Sequence, residues 1–136
     1  MNALDTNVLA RFFINDKDDP EAVRQRPAAI AALSGAVFVP VSVILEFEWV
    51  MRGFYEIPRK DIQRIFESLC GLENVQIEDR GIVLAALNAY QQGLDFADAV
   101  HLTRSNFCNK FLSFDQKLKK RAISAGLTPA IEIPKA

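Results

Sequence analysis

Of the 17 acidic residues in this chain, four fall where a carboxylate could do chemistry. Asp5 closes the first short apolar run, Asn2 to Leu4, and Asp115 follows a later one, Phe111 to Ser113. Ligands of parallel α/β sheets bind just beyond the carboxyl ends of the strands, which makes both acids candidates by position. Glu46 lies one turn into the helical pattern after the run Val37 to Val39, and Asp98 lies in the first turn of the pattern that precedes the Phe111 run. Both helix starts can face the same sheet edge. Each acid also has an ordinary explanation, because first-turn carboxylates complement the helix dipole. Three or four of them converging without paired bases, however, repel one another unless a hard divalent cation such as Mg²⁺ or Mn²⁺ holds them.

The neighbours of these acids sharpen the reading. Three and four residues from Glu46 on a helix stand Val43, Trp49 and Val50, all apolar. A charge on an apolar face is seldom buried unless paired or bound to metal, which leaves metal ligation or an internal salt bridge for Glu46. Glu48 precedes Arg52 by four residues, the spacing of a surface ion pair, and is left out of the site. Asp95 and Asp98 stand three apart at a helix start, so Asp95 is expected to cap the backbone, with a water-mediated metal contact still open to it, while Asp98 projects into the cleft. His101, beside Val100 and Leu102, reads as structural or as a hydrogen-bonding support for Asp98 rather than a general base.

Positioning these groups requires strands that alternate with helices, and the chain has that alternation. Asp19-Pro20-Glu21 has the order of an N-cap, a first-position proline and a first-turn acid, opening a helix through Ala22, Ile30 and Leu33 to a stop at Gly35. Pro27 is expected to kink or interrupt it. After the strand Val37 to Val39, Ser42 can cap a helix running through Val43, Glu46, Trp49 and Val50 to Gly53. Core-facing spacing at Ile62, Ile65, Phe66 and Leu69 and at Val83, Ala86, Leu87 and Tyr90 marks helices at Asp61 to Cys70 and Ile82 to Tyr90, with a short strand, Asn74 to Ile77, between them. Gly93 breaks the chain before a helix from Phe96 to about Ser105. The strand Phe111 to Ser113, a helix Gln116 to Ala125 closed by Gly126, and an edge strand within Thr128 to Ile133 complete the pattern. The expectation is one domain over residues 1–136, a three-layer α/β/α sandwich around a mainly parallel sheet.

Composition narrows the class of function. Half the residues are hydrophobic and 24% are charged, as in ordinary globular proteins. No apolar stretch reaches the roughly 18 residues of a membrane helix, and Asp5 interrupts the N-terminus where a signal peptide would turn apolar, so a cytoplasmic protein is expected. Cys70 and Cys108 lack metal-type spacing with each other or with His101, and both thiols are expected to be buried and reduced. A net charge of −1 gives no global attraction for nucleic acid. A local patch remains: Arg104, Lys110, Lys117, Lys119, Lys120 and Arg121 stand against the single acid Asp115, as a solvated helix face or as phosphate contacts.

Leu4-Asp5-Thr6-Asn7-Val8-Leu9, Glu46 before Trp49, Asp95-Phe96-Ala97-Asp98-Ala99 and Ser113-Phe114-Asp115-Gln116-Lys117-Leu118 resemble, in this order, the motifs of PIN-domain proteins. The resemblance spans nearly the whole chain and is nearest to small VapC-type toxins, in length and in the early first strand. It implies Asp5, Glu46 and Asp98 as the main acidic site and Asp115 as the fourth acid. Thr6, Asn7 and Ser113 match polar positions of the motifs: Thr6 or Ser113 could orient a metal-bound water, whereas Asn7 is expected to fix the turn after the first strand. The implied activity is Mg²⁺-dependent hydrolysis of RNA phosphodiesters, leaving a 5′-phosphate and a 3′-hydroxyl. Arg11, Arg104, Lys117 and Lys120 are the candidate RNA contacts. A homodimer and a cognate antitoxin with a basic segment are implied as partners, and Phe12, Phe13, Trp49 and Phe54 are expected in the core or in such contacts.

Other acid-based chemistries fit less well. A phosphatase of the haloacid-dehalogenase type needs a second Asp two residues after the first, where this chain has Asn7. A phospho-receiver needs paired acids at the first strand and a lysine after a late strand, and Lys117 falls in a helix pattern instead. A PIN-like module that binds RNA or protein without cleaving it remains the alternative, which the presence of all four acids disfavours.

Overall fold

The structure, a computed structural model, describes all 136 residues. Its contacts divide the chain into two compact units, Met1–Asp79 and Arg80–Ala136. Every paired strand is parallel, the α/β architecture that the sequence indicates.

The first unit contains β1 (Asn2–Ala3), α1 (Thr6–Phe13), α2 (Pro20–Ala32), β2 (Val37–Val39), α3 (Val41–Gly53), α4 (Arg59–Cys70) and β3 (Val75–Ile77). Its sheet has the order β1-β2-β3, with Asn2 opposite Val37 and Val37 opposite Val75. Val37, Val39, Val75 and Ile77 are buried at alternate positions, which fixes the register because a slip of one residue would turn them to the other face. Helices pack α1 on α2 and α3, and α3 on α4. Their apolar faces deliver Leu9, Ile44, Phe47, Met51, Ile62, Phe66 and Leu69 to a core from which solvent is excluded. Rings of Phe13, Phe47 and Phe66 follow one another at 6.1 and 5.8 Å.

Two local expectations fail here for identifiable reasons. The α2 helix runs unbroken through Pro27. The lost hydrogen bond would have gone to the Val23 carbonyl, on an exposed stretch where water can take its place. Ala22 and Ala29 are the buried residues of that helix, and Ile30 is exposed. Ser42 does not cap α3, because the helix starts at Val41, two residues earlier than that cap would place it. The free amide of Val41 donates instead to Glu78 Oε1 at 2.9 Å, a cap brought from the end of β3.

The second unit contains α5 (Arg80–Gln91), α6 (Phe96–Arg104), β4 (Lys110–Leu112), α7 (Gln116–Ser124) and β5 (Ala130–Glu132). Helices α5 and α6 form an antiparallel hairpin whose turn needs Gly93 at φ +105°, a conformation that disfavours any side chain. Tyr90 and Phe96 meet edge to face across it at 5.4 Å. Gly126 at φ +67° ends α7 as expected, and β4 pairs with β5 with Phe111 opposite Ile131. Cys70 is buried, but Cys108, in the turn before β4, is exposed, contrary to expectation. No helix is long and apolar enough to cross a membrane.

Candidate active site

In the first unit β1 ends at Ala3, and two residues later Asp5 becomes the N-cap of α1. Its backbone is extended, at φ −87° and ψ 165°, and its Oδ1 accepts the Thr6 amide at 2.7 Å. Asp5, not Asn7, therefore fixes the turn after the first strand. Thr6 is buried, and its hydroxyl donates to Glu46 Oε1. This bond ties the start of α1 to the second turn of α3. It also assigns Thr6 a definite task, which is to hold one carboxylate oxygen of Glu46.

Glu46 does not lie on the buried face of its helix. That face consists of Val41, Ile44, Phe47, Glu48 and Met51, while Glu46 and Trp49 are exposed. The acid on the apolar face is Glu48, only 2% exposed, and it is paired as a buried charge must be: Arg52 donates to it through Nε at 2.9 Å and Nη2 at 3.3 Å. The surface ion pair expected from the spacing is thus a half-buried structural one. The apolar neighbours of Glu46 instead border a cavity of about 340 Å³ that Asp5, Thr6, Asn7 and Glu46 line together with Arg11, Trp49, Val50, Phe54 and Tyr55. Arg11 is fixed at this cavity by Nη1 donating to Tyr55 Oη at 3.0 Å and Nε to Gln25 Oε1 at 2.9 Å. Neither Tyr55 nor Gln25 stands in a motif, so spacing gave no signal for them.

In the second unit Asp95 caps α6 as expected, its Oδ2 accepting the Asp98 amide at 3.2 Å. The Asp98 carboxyl is partly buried, and its pKa is raised above the ordinary aspartate value, first by burial and then by the charges of Asp95 and Asp115, with His101 opposing. Asp95 and Asp115 thus both bear on Asp98, and exposed His101 acts on it through charge, not through the hydrogen bond expected from the spacing. Asp115 is itself the N-cap of α7, accepting the Leu118 amide at 3.0 Å. Ser113 Oγ accepts the Asp115 amide at 3.0 Å, which builds the turn before α7. Of the basic run, Lys110 is engaged by Glu132, whose carboxyl that hydrogen bond holds below its usual range. Arg104, Lys117, Lys120 and Arg121 are exposed.

The donors suit a hard cation, being carboxylate oxygens with no thiolate among them. The upward shift of Asp98 by neighbouring acids is the repulsion that a cation would relieve. No group of three or more His, Cys, Asp or Glu side chains is arranged to enclose an ion on its own.

Comparison with known proteins bears on what these acids serve. Over 124 residues the chain is 27% identical to a VapC ribonuclease of Aquifex aeolicus (strain VF5), covering 88% of this chain and 91% of that protein. No solved structure matches. Residues 3–123 match the family described as PIN domain, a stretch that takes in the first-strand acid, Glu46 and both later acidic motifs, and the chain belongs to that family.

Proposed function

We propose that this protein is a divalent-metal-dependent endoribonuclease that hydrolyses RNA phosphodiester bonds and serves as the toxin of a type II toxin–antitoxin pair. One observation carries the reading: a PIN-domain chain keeps its motif acids unpaired with any Lys or Arg, Asp5 beside Glu46 on one cavity and Asp98 with its pKa raised by burial and by the charges of Asp95 and Asp115. Carboxylates left in this state lack a counter-charge from any Lys or Arg side chain, and a divalent cation would supply it. The proposed ligands are Asp5 and Glu46 of the first unit and Asp98 and Asp115 of the second. A bound Mg²⁺ or Mn²⁺ would supply Lewis-acid activation of water and would neutralise charge developing at phosphorus.

The chain's own residues do the rest. Thr6 holds Glu46, Asp95 and Ser113 shape the turns that present Asp98 and Asp115, and Asn7 lines the cavity beside Asp5. Arg11, Arg104, Lys117 and Lys120 are the proposed contacts to the RNA backbone. A homodimer, a cognate antitoxin and a cytoplasmic location belong to the same reading, as the motif resemblance to VapC-type toxins implies. Incubating the purified chain with labelled RNA tests it: cleavage with Mg²⁺ that stops with EDTA is expected. RNA or protein binding with no cleavage under any divalent ion would assign the chain to the non-catalytic alternative.

A further inference from the structure

The cavity of the first unit carries more than acids. Trp49, one helical turn beyond Glu46, is 62% exposed, and Phe54 at the end of α3 is 72% exposed. Both border the cavity that Asp5 and Glu46 line. Phe54 meets Tyr55 edge to face at 4.9 Å, and Tyr55 in turn receives Arg11. Large aromatic surfaces left to solvent are unfavourable for folding alone, and here they share one concavity with an arginine and two carboxylates. Arg11 uses Nε and Nη1 within the protein, which leaves Nη2 for an anion.

We propose that this cavity is a nucleotide subsite, in which a single unpaired base of an RNA strand stacks on Trp49, with Phe54 beside it, and the adjoining phosphate meets Arg11. The proposal rests on the ribonuclease reading for its substrate and adds the side chains that receive one of its nucleotides. A flat base offers the indole a π face whatever its sequence, whereas bases stacked inside a duplex are not available to it. An apolar protein segment would explain the aromatic rim but not an arginine and two acids on the same walls. A base with its phosphate uses the aromatic rim and the arginine together.

Trp49 is the single tryptophan of the chain, so its emission reports the contact directly. The full chain is titrated with a short single-stranded RNA, in EDTA and again with Ca²⁺ in place of Mg²⁺, alongside the same sequence as a duplex and with an abasic nucleotide substituted at each position in turn. Saturable quenching by the single strand is expected, together with loss of quenching in one abasic series and little response to duplex. Because Trp49 and Phe54 are exposed, Trp49→Ala and Phe54→Ala should keep the fold by circular dichroism. Trp49→Ala should weaken RNA binding roughly 5- to 150-fold, the effect of removing one base–aromatic stack.

Equal quenching by duplex or by every abasic strand overturns the proposal, as does no quenching in either buffer. Quenching that rises with protein concentration and without RNA overturns it in favour of a protein contact. Cleavage by a chain whose tryptophan never responds would remove the subsite and keep the nuclease. Quenching without cleavage under any divalent ion would do the reverse.

Discussion

Replacing Thr6 with valine tests whether the geometry of Glu46 matters to the chemistry. The two side chains have nearly the same shape, so the buried site is refilled without a cavity, and only the hydroxyl that donates to Glu46 disappears. A hydrogen bond to a charged acceptor contributes about 1.5–3 kcal/mol when its loss strands the acceptor. Glu46 is exposed and is rehydrated at once, so the stability loss should be about 1 kcal/mol, a fall in Tm of a few degrees. Activity should fall further than stability. A glutamate that must first be fixed in one rotamer loses about 1.4 kcal/mol of transition-state stabilisation, close to tenfold in kcat/KM for RNA cleavage. Thr6→Ser should retain most of the rate, and in a Glu46→Gln background Thr6→Val should add nothing. Wild-type cleavage by Thr6→Val, or a full additive loss in the double variant, would refute the reasoning, because Thr6 would then not act through Glu46.

Arg52→Ala should destabilise the fold by about 1–3 kcal/mol in denaturant melts, since it takes the fork from a carboxylate held away from water. The figure lies below that for a fully buried pair because Arg52 itself is 47% exposed. Asp98→Asn should raise the Tm measured in EDTA at neutral pH, because an acid whose pKa is raised on folding penalises the folded state wherever it is charged. The sign requires the gain to shrink as pH falls through the folded value and to vanish below the ordinary 3.8; a gain that grows on acidification would refute it.

How much of this could be read from residue order depends on which interactions are local. Helices whose apolar spacing is regular, such as α4 and α5, stand where Ile62, Phe66 and Leu69 and Val83, Leu87 and Tyr90 put them. Caps made by a side chain on its own helix, at Asp19 and Asp95, were legible for the same reason. Glu46 and Glu48 were not separable, because residues two apart on α3 have different surroundings and the apolar residues near Glu46 are of both kinds, core and cavity wall. Val43 and Val50 are half-buried while Trp49 is exposed. The Glu78 cap on α3 joins residues 37 positions apart and leaves no local trace. The bond from Thr6 to Glu46, 40 positions apart, is of the same kind; its apolar neighbours drew attention to Glu46, whereas only the motif resemblance pointed to Thr6.

Three of the candidate acids share a property that changes how they should be tested. Asp5, Asp95 and Asp115 each cap a helix, spending one oxygen on a backbone amide. A helix N-terminus carries partial positive charge, so it lowers the electrostatic cost of holding these carboxylates without a lysine or arginine. Fold and chemistry are consequently superposed on the same atoms, and alanine removes both. Asp5→Ala should lose cleavage and also about 1 kcal/mol of stability through the missing cap. Asp5→Asn keeps an oxygen for the Thr6 amide while removing the charge, so its Tm should stay near that of the wild type although cleavage is abolished. Melting curves and RNA cleavage measured on both variants separate the two roles. If Asp5→Asn cleaves RNA at the wild-type rate, the charge at this position serves the helix alone, and the acid at the end of the first strand has no part in the reaction.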